Sequence, residues 1–205
     1  MPPVLTQHEQ RVLGCLLEKE VLTPEVYPLT LNSLRLACNQ KTSRDPVLEL
    51  SEPEVSAALN SLKGRGLVGA RMDARATKYV QKMESAGALT SAQRSVVTLL
   101  LLRGAQTAGE LRARSERLHE FGSPAEVEQA LEALASHEGG PWVRRLERRP
   151  GEKEARWRHT LDGGVEPEAV AIAESTDRLT ALESRIEELE RRLAVLENGS
   201  SSGAV

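Results

Sequence analysis

Apolar residues recur with a helical period in two stretches of the chain, and each stretch follows a Leu-Thr pair. The pairs are Leu5-Thr6 and Leu89-Thr90. Thr6 and Glu9 have the spacing of a capping box, in which a hydroxyl and a carboxylate satisfy free amide groups of the first helical turn. We therefore predict a helix after each pair.

A second apolar pattern occurs twice, in residues 51–62 and 123–134, where Ser, Glu, Val, Ala and two Leu residues match at one fixed offset. Each copy has a Ser cap, Pro in the first turn and apolar residues at i, i+4 and i+7, which predicts a helix. Glycines and two strand-like runs follow each helix, as in a β-hairpin. Together with a second helix between these two helices, which ends at Cys38 in the first repeat, the order of three helices and a hairpin occurs twice.

This repetition predicts a mainly α fold with small β-hairpin wings, made of two tandem winged-helix domains and a C-terminal coiled-coil-type helix. Small polar breaks set the expected boundaries. We expect domains at 1–84 and 88–162, an amphipathic helical arm at 166–198 and a disordered tail at 199–205. Two unrelated helix-hairpin units remain the alternative to a true repeat.

The C-terminal arm carries a heptad pattern that predicts a parallel homodimer. Apolar a and d positions form the candidate dimerisation seam: Ile172, Leu179, Leu182, Ile186, Leu189, Leu193 and Leu196. Arginines at g and glutamates at e would face each other in a parallel pair, whereas an antiparallel pair would bring like charges together. The alternative is a single amphipathic helix that folds back onto its own domains.

Composition excludes several classes of protein. The net charge of −3 over 205 residues rules out a uniformly basic nucleic-acid coat. The N-terminus lacks the apolar segment of a signal peptide, and no apolar run is long enough for a membrane span, so we expect a cytoplasmic protein with no membrane partner. Cys15 and Cys38 cannot form a disulfide framework. We expect a buried, inert Cys15 and a more exposed Cys38.

Catalytic motifs are absent from the sequence. The four histidines lack metal-ligand spacing, and the chain has neither a phosphate-binding glycine loop nor a nucleophile elbow. We therefore predict no catalytic residue, no metal, no cofactor and no enzymatic activity.

Basic residues cluster in the predicted hairpins, where a winged helix contacts phosphates, and arginine suits bidentate phosphate contact. The third helix of the first repeat adds polar residues that could contact bases. The candidate DNA-binding residues are Ser56, Asn60, Lys63, Arg65, Arg71, Arg75, Lys78, Arg144, Arg145, Arg148, Arg149, Lys153 and Arg156. The alternative for each charged residue is a solvated face paired with nearby glutamates.

The third helix of the second repeat is acidic, with Glu126, Glu128 and Glu132, and would repel a phosphate backbone. Two non-enzymatic functions therefore remain open. One is a regulatory protein that binds double-stranded DNA, and the other is a scaffold that binds a protein partner. The remaining alternative is an unrecognised enzyme, which would need a pocket that joins His119, Cys38 or the loop containing Arg44.

Four segments resemble the YceH-like family of uncharacterised bacterial proteins, namely residues 24–34, 37–47, 100–112 and 117–121. The resemblance implies a tandem winged-helix fold and no established activity. The chain departs from the family pattern at Val80 and Gln81, where an acidic residue and His are expected, and at Trp157, where Tyr is expected.

The most distinctive family segment is the loop that contains Lys41, Ser43 and Arg44. These residues could hold a phosphate. Alternatively, Arg44 and Asp45 could fix the conformation of the loop, and both roles remain open.

Overall fold

The computed structural model describes residues 2–73, 76–148 and 151–163. Within them the protein is mainly helical, with six α-helices and two small antiparallel sheets. Residues 1–163 form one unit and residues 164–205 a second. The break predicted at residues 84–88 lies inside the first unit, where a short 3₁₀ helix spans Met83–Ser85, and as a domain boundary it stays a prediction.

The first half of the chain contains three helices and a three-stranded sheet. In chain order the elements are α1 (Gln7–Leu22), β1 (Leu29–Thr30), α2 (Leu31–Cys38), α3 (Glu52–Gly64), β2 (Val68–Asp73) and β3 (Ala76–Gln81). β3 lies in the middle of the sheet and pairs antiparallel with both β1 and β2. The short strand β1 was absent from the sequence prediction, because two residues carry no readable alternation.

The second half repeats this order with shorter strands. Its elements are α4 (Ser91–Arg103), α5 (Ala108–Ser115), α6 (Pro124–Ala135), β4 (Val143–Arg145) and β5 (Trp157–His159). A single bridge between Gln106 and Trp157 corresponds to the pairing of Leu29 with Tyr79 in the first half. The coarse prediction of a mainly helical fold with two small hairpins is confirmed.

Threonine caps fix where most of the helices begin. The side chains of Thr6, Thr30, Thr90 and Thr107 each accept a hydrogen bond from the backbone amide three residues on. At Thr6 the carboxylate of Glu9 accepts the reciprocal bond at 2.7 Å, which completes the predicted capping box. Each cap stabilises its helix by about 1 kcal/mol.

The two halves share one hydrophobic core, in which α1 packs against α4. The middle of each helix is buried, over residues 11–18 of α1 and 95–102 of α4. At Gly14 a Cβ atom would lie only 2.9 Å from Cδ2 of Leu102, so the glycine permits this close approach. The two repeats are therefore in close contact along α1 and α4, which form the seam between them.

One expectation about the cysteines is wrong. Cys15 is buried as predicted, but Cys38 is also fully buried, because the last turn of α2 packs against α1 rather than facing solvent. The predicted C-terminal arm at 166–198, its dimerisation seam and the tail lie outside the described residues.

Candidate nucleic-acid interface

The helix α3 has one apolar face and one polar face. Ser51 precedes the helix, and the carboxylate of Glu54 accepts hydrogen bonds from the Ser51 amide and hydroxyl. Leu59 and the other buried positions of α3 face the core. The candidate residues Ser56, Asn60 and Lys63 lie between these apolar positions, and Asn60 and Lys63 are exposed. The polar face of α3 is therefore open to a partner.

The hairpin that follows α3 holds the next candidates. In the register of β2 and β3, Arg71 lies opposite Lys78. Lys78 pairs with Asp73, with 2.8 Å between Nζ and Oδ2. Arg71 is exposed and forms no ion pair or side-chain hydrogen bond with a described residue. Arg75 lies outside the described residues. The first hairpin thus offers at least one uncommitted arginine beside α3.

Arg65 does not join this surface. Its guanidinium lies 3.8 Å from the Glu9 carboxylate and donates a hydrogen bond to the carbonyl of Val4, so it holds the chain before α1 against the end of α3. Burial alone would raise the pKa of Glu9. Hydrogen bonds from Ser61 and Thr6 and the charge of Arg65 lower that pKa overall, which keeps the carboxylate ionised.

Several basic residues of the second hairpin are held by the protein itself. Arg156 donates to the carbonyl of Ala105 at 2.9 Å and to the carboxylates of Glu110 and Glu152 at 3.2 and 3.4 Å. Arg144 also has an interaction partner. The guanidinium of Arg145 lies 6.0 Å from the ring centroid of Trp157, within the range of a cation–π contact. The second hairpin therefore has fewer arginines available to a partner than its sequence suggests.

A cavity of about 540 Å³ lies between the second hairpin and the helices α5 and α6. Its charged lining residues are Arg145, Arg148, Lys153, Glu128 and Glu154. Arg148 and Lys153 are exposed and form no ion pair within the described part of the chain. Arg149, the neighbouring candidate, lies outside it. Because carboxylates share this lining, the cavity is only weakly positive.

The loop between α2 and α3 is held by a buried arginine. All five N–H groups of Arg44 have acceptors, including both oxygens of Glu18 at 3.0 and 2.6 Å. No donor of Arg44 is left for a phosphate, so this geometry favours the role of fixing the loop. Lys41 is exposed, and the hydroxyl of Ser43 accepts a hydrogen bond from Arg103.

Buried charges around this loop come from α1. Burial would raise the pKa of Glu18, but the hydrogen bonds and charge of Arg44 lower it overall. Arg11 is also buried and donates to the carbonyls of Cys38 and Pro46. The sequence analysis overlooked both residues. Their signal was a charge directly before and directly after the apolar run of residues 12–17 in α1, since charged residues beside a buried segment are almost never fully buried without a partner.

Among the described residues no helix combines the length and hydropathy needed to cross a membrane. In the same part of the chain no three His, Cys, Asp or Glu side chains gather in a way that could hold a metal ion.

Comparison with known proteins places the chain in a family. Residues 5–152 match the model of a family described as protein of unknown function, DUF480. The UPF0502 protein Ent638_1581 of Enterobacter sp. (strain 638) is 49% identical over 203 residues, which covers 92% of this chain and 94% of the relative. The UPF0502 proteins YceH of Salmonella agona (strain SL483) and Salmonella schwarzengrund (strain CVM19633) are 47% identical with the same coverage. These matches confirm the resemblance inferred from the sequence, and the chain belongs to the DUF480 family.

Proposed function

We propose that each repeat is a winged-helix domain and that the protein is a regulatory factor that binds double-stranded DNA through the first repeat. In this proposal α3 enters the major groove and the two hairpins contact phosphates on either side. The order of three helices and a hairpin supports the winged-helix assignment. The observation that carries DNA binding is the uncommitted polar and basic surface of α3 and β2.

That surface combines two kinds of group that DNA recognition needs. Asn60 is exposed on α3 and can contact a base edge, since asparagine bonds adenine in the major groove. Lys63 and Arg71 are exposed, lie on consecutive elements and have no carboxylate partner among the described residues. Cations already paired with the protein's own carboxylates would have to exchange partners first, at a cost in affinity. Uncommitted cations bear no such cost.

The second repeat contributes less to this interface. Glu126 and Glu132 are exposed on α6, so the helix that corresponds to α3 would repel phosphates. Arg148 and Lys153 on its hairpin remain available for backbone contacts. The second repeat would therefore hold DNA through its hairpin alone.

Fluorescence anisotropy with a labelled duplex of mixed sequence tests this proposal. Affinity should fall steeply between about 50 and 200 mM salt, with log K changing by about −0.9 per neutralised phosphate for each unit of log salt. Lys63→Glu should weaken binding and make the salt slope shallower by about 1. The matched control is Arg112→Glu, the same change of charge at an exposed position of α5.

Two results would reject the proposal. The first is the absence of salt-dependent duplex binding by the wild-type protein. The second is an equal loss of affinity in Lys63→Glu and Arg112→Glu, since this would show that total charge matters and α3 does not.

A protein-binding scaffold is the second candidate function, and the acidic surface of α6 favours it. Glu132 is exposed and Glu128 half-buried on this helix. A basic partner would bind this face, and the double change Glu128→Lys and Glu132→Lys should abolish its capture in a pull-down. Capture that survives the double change would remove α6 from the scaffold hypothesis.

The predicted homodimer remains part of the proposal, although its seam lies outside the described residues. A parallel dimer would present two copies of α3 to DNA, which suits a site with two-fold symmetry. Analytical ultracentrifugation of the full chain and of Leu189→Asp tests it. The wild-type protein should sediment as a dimer and the variant as a monomer, whereas a monomeric wild-type chain would contradict the prediction.

A further inference from the structure

A cleft of about 300 Å³ opens between the two repeats, away from α3 and both hairpins. One wall comes from α1 and the loop between α2 and α3, through Glu18, Leu22 and Ser43. The other wall comes from α4, α5 and the segment after α5. Volumes of this size are at the lower end of those that hold small ligands.

Three arginines line the second wall of the cleft, namely Arg103, Arg114 and Arg117. The carboxylates in the lining are Glu18 and Glu116. Glu18 is already neutralised, because Arg44 binds both of its oxygens. The cleft therefore has an excess of positive charge at its surface.

Some hydrogen-bond donors of these arginines also lack acceptors among the described residues. Nε of Arg103 is buried and has no hydrogen-bond partner among the described residues, while one of its terminal nitrogens donates to the hydroxyl of Ser43. Arg117 is exposed and makes no ion pair or hydrogen bond within the described residues. Buried polar groups in proteins are normally satisfied, so both arginines keep hydrogen-bonding capacity that the described residues do not use.

Like charges lie close together here. Burial lowers the pKa of Arg103, and the nearby charges of Arg114 and Arg44 lower it further, although Glu18 opposes them. Arg114 is partly compensated by Glu110, at 3.5 Å. An anion in the cleft would offset the positive charge of Arg103 and its neighbours and accept hydrogen bonds from the exposed guanidinium of Arg117.

The remaining lining of the cleft is apolar. Leu22 and Leu118 lie at its opening, and the buried side chains of Leu99 and Leu102 lie deeper. A ligand that fits both parts carries a compact anionic group and a small apolar body. The backbone at Ser43 has a φ of 61°, a conformation rare outside glycine, and such local strain is typical of ligand-binding sites.

We propose that this cleft binds a small phosphate monoester, with its phosphate held by Arg103 and Arg117 and its apolar body against Leu22 and Leu118. The ligand would contact both repeats at once and would stabilise their packing. This site is independent of the proposed DNA surface, because it shares none of the candidate DNA-binding residues of α3 or the hairpins.

Isothermal titration calorimetry of the full chain with phenyl phosphate, in the absence of DNA, tests the proposal. Wild-type protein should bind the probe, and its melting temperature should rise with probe concentration. Arg117→Gln should weaken binding by about tenfold or more, the usual value of a charge-assisted hydrogen bond. Arg103→Gln should have a similar effect. Because Arg103 also holds Ser43, Arg117→Gln is the decisive variant if Arg103→Gln folds poorly.

The control variant is Arg112→Gln, an equivalent change on α5 at an exposed arginine outside the lining of the cleft. It should bind phenyl phosphate as the wild type does. Equal affinity of Arg117→Gln and Arg112→Gln would overturn the proposal, as would the absence of binding by the wild type at millimolar probe.

Inorganic phosphate serves as the second probe. Because it lacks an apolar body, it should bind about tenfold more weakly than phenyl phosphate. Equal affinity for the two probes would reject the assignment to a monoester. Since neither titration contains DNA, this proposal and the proposed DNA-binding function can fail separately.

Discussion

The two hairpins occupy equivalent places in the repeats, yet their arginines are used differently. In the first hairpin the strands are six residues long, Arg71 is uncommitted and Met72 is largely exposed. In the second the strands are three residues long, Trp157 is buried, and Arg156 and Arg158 bind carboxylates of the same chain. The second hairpin contains more arginines than the first, but several of them are paired within the protein, so the number available to a partner is not larger in the same proportion.

The loops that precede the third helices differ as well. Thirteen residues separate α2 from α3, and the pair of Arg44 and Glu18 holds this loop against α1. Eight residues separate α5 from α6. The longer loop of the first repeat is thus fixed by a buried ion pair, in which Arg44 of the loop binds Glu18 of α1. This ion pair is called the anchor of the loop below.

The largest expected effect follows from removing that anchor. Glu18→Gln would leave the Arg44 guanidinium buried without a counterion, and we expect it to lower the free energy of unfolding by roughly 3–5 kcal/mol. Lys19→Gln, next to it on α1 and less buried, should cost less than about 1 kcal/mol. Urea denaturation followed by circular dichroism measures both values, and similar losses in the two variants would contradict the structural role of Arg44.

The next effect distinguishes two equivalent strand positions, Gln81 and His159. Gln81 accepts a hydrogen bond from the Met83 amide and donates one to Glu20, whereas Nδ1 of buried His159 has no partner in the described part of the chain. Burial lowers the pKa of His159 from its usual 6.5 to about 4; Asp162 opposes this shift, and Arg158 adds to it. The unfolded chain therefore takes up a proton at a higher pH than the native protein.

Stability from the neutral His159 is complete above pH 6.5 and should be lost as the pH falls from 6.5 towards 4, by about 3 kcal/mol in total. His159→Gln should remove most of this loss, although it alters packing at all pH values. Denaturation midpoints at several pH values test the prediction. The same acid dependence in the wild type and the variant would disprove it.

A smaller effect compares the hairpins directly through DNA affinity. Arg71→Glu should weaken duplex binding by roughly tenfold, about the effect of one lost phosphate contact with added repulsion. Arg156→Gln should change affinity less than about threefold, because its guanidinium is already held by Glu110 and Ala105. Anisotropy titrations of both variants at one salt concentration provide the comparison, and a larger loss for Arg156→Gln would reverse it.

The smallest effect concerns two equivalent helix caps. Thr107 forms a full capping box with Glu110, whereas Thr30 accepts a bond from the Ser33 amide and shares another with the Ser33 hydroxyl. Thr107→Ala and Thr30→Ala should each cost about 1 kcal/mol, because each change removes the side-chain acceptor of one amide in the first helical turn. The bond from the Thr107 backbone amide to Glu110 remains in the alanine variant. Thermal denaturation measures both costs, and a negligible cost for either variant would contradict the role of its cap.

Local signals made much of the fold predictable. The Ser51 start of α3, its apolar spacing and the hairpin after it all depend on residues close in sequence, and the structure confirms each of them. Contacts between distant residues were not predictable. Arg44 and Glu18 are 26 positions apart, and no local pattern indicates that they meet.

In the candidate site, too, local features were predictable and contacts between distant residues were not. Exposure of Lys63 and Arg71 could be inferred from their place on polar faces of predicted elements. The distant partners of Arg65 and Arg156 could not, because Glu9 lies on α1, Glu110 on α5 and Ala105 just before α5. Basic residues can be counted in the sequence. The number of them that have no partner within the protein depends on the fold.

The close approach of α1 and α4 at Gly14 has a consequence for the distance between the two hairpins, which matters for any ligand that contacts both of them. Because side chains interlock across the seam, the separation of the two hairpins is set by the diameters of two helices rather than by the length of a linker. Under the proposed DNA-binding function, the phosphates that the two hairpins contact would therefore lie a fixed distance apart. A bulkier residue at Gly14 would change that distance without altering any group on the outer surface.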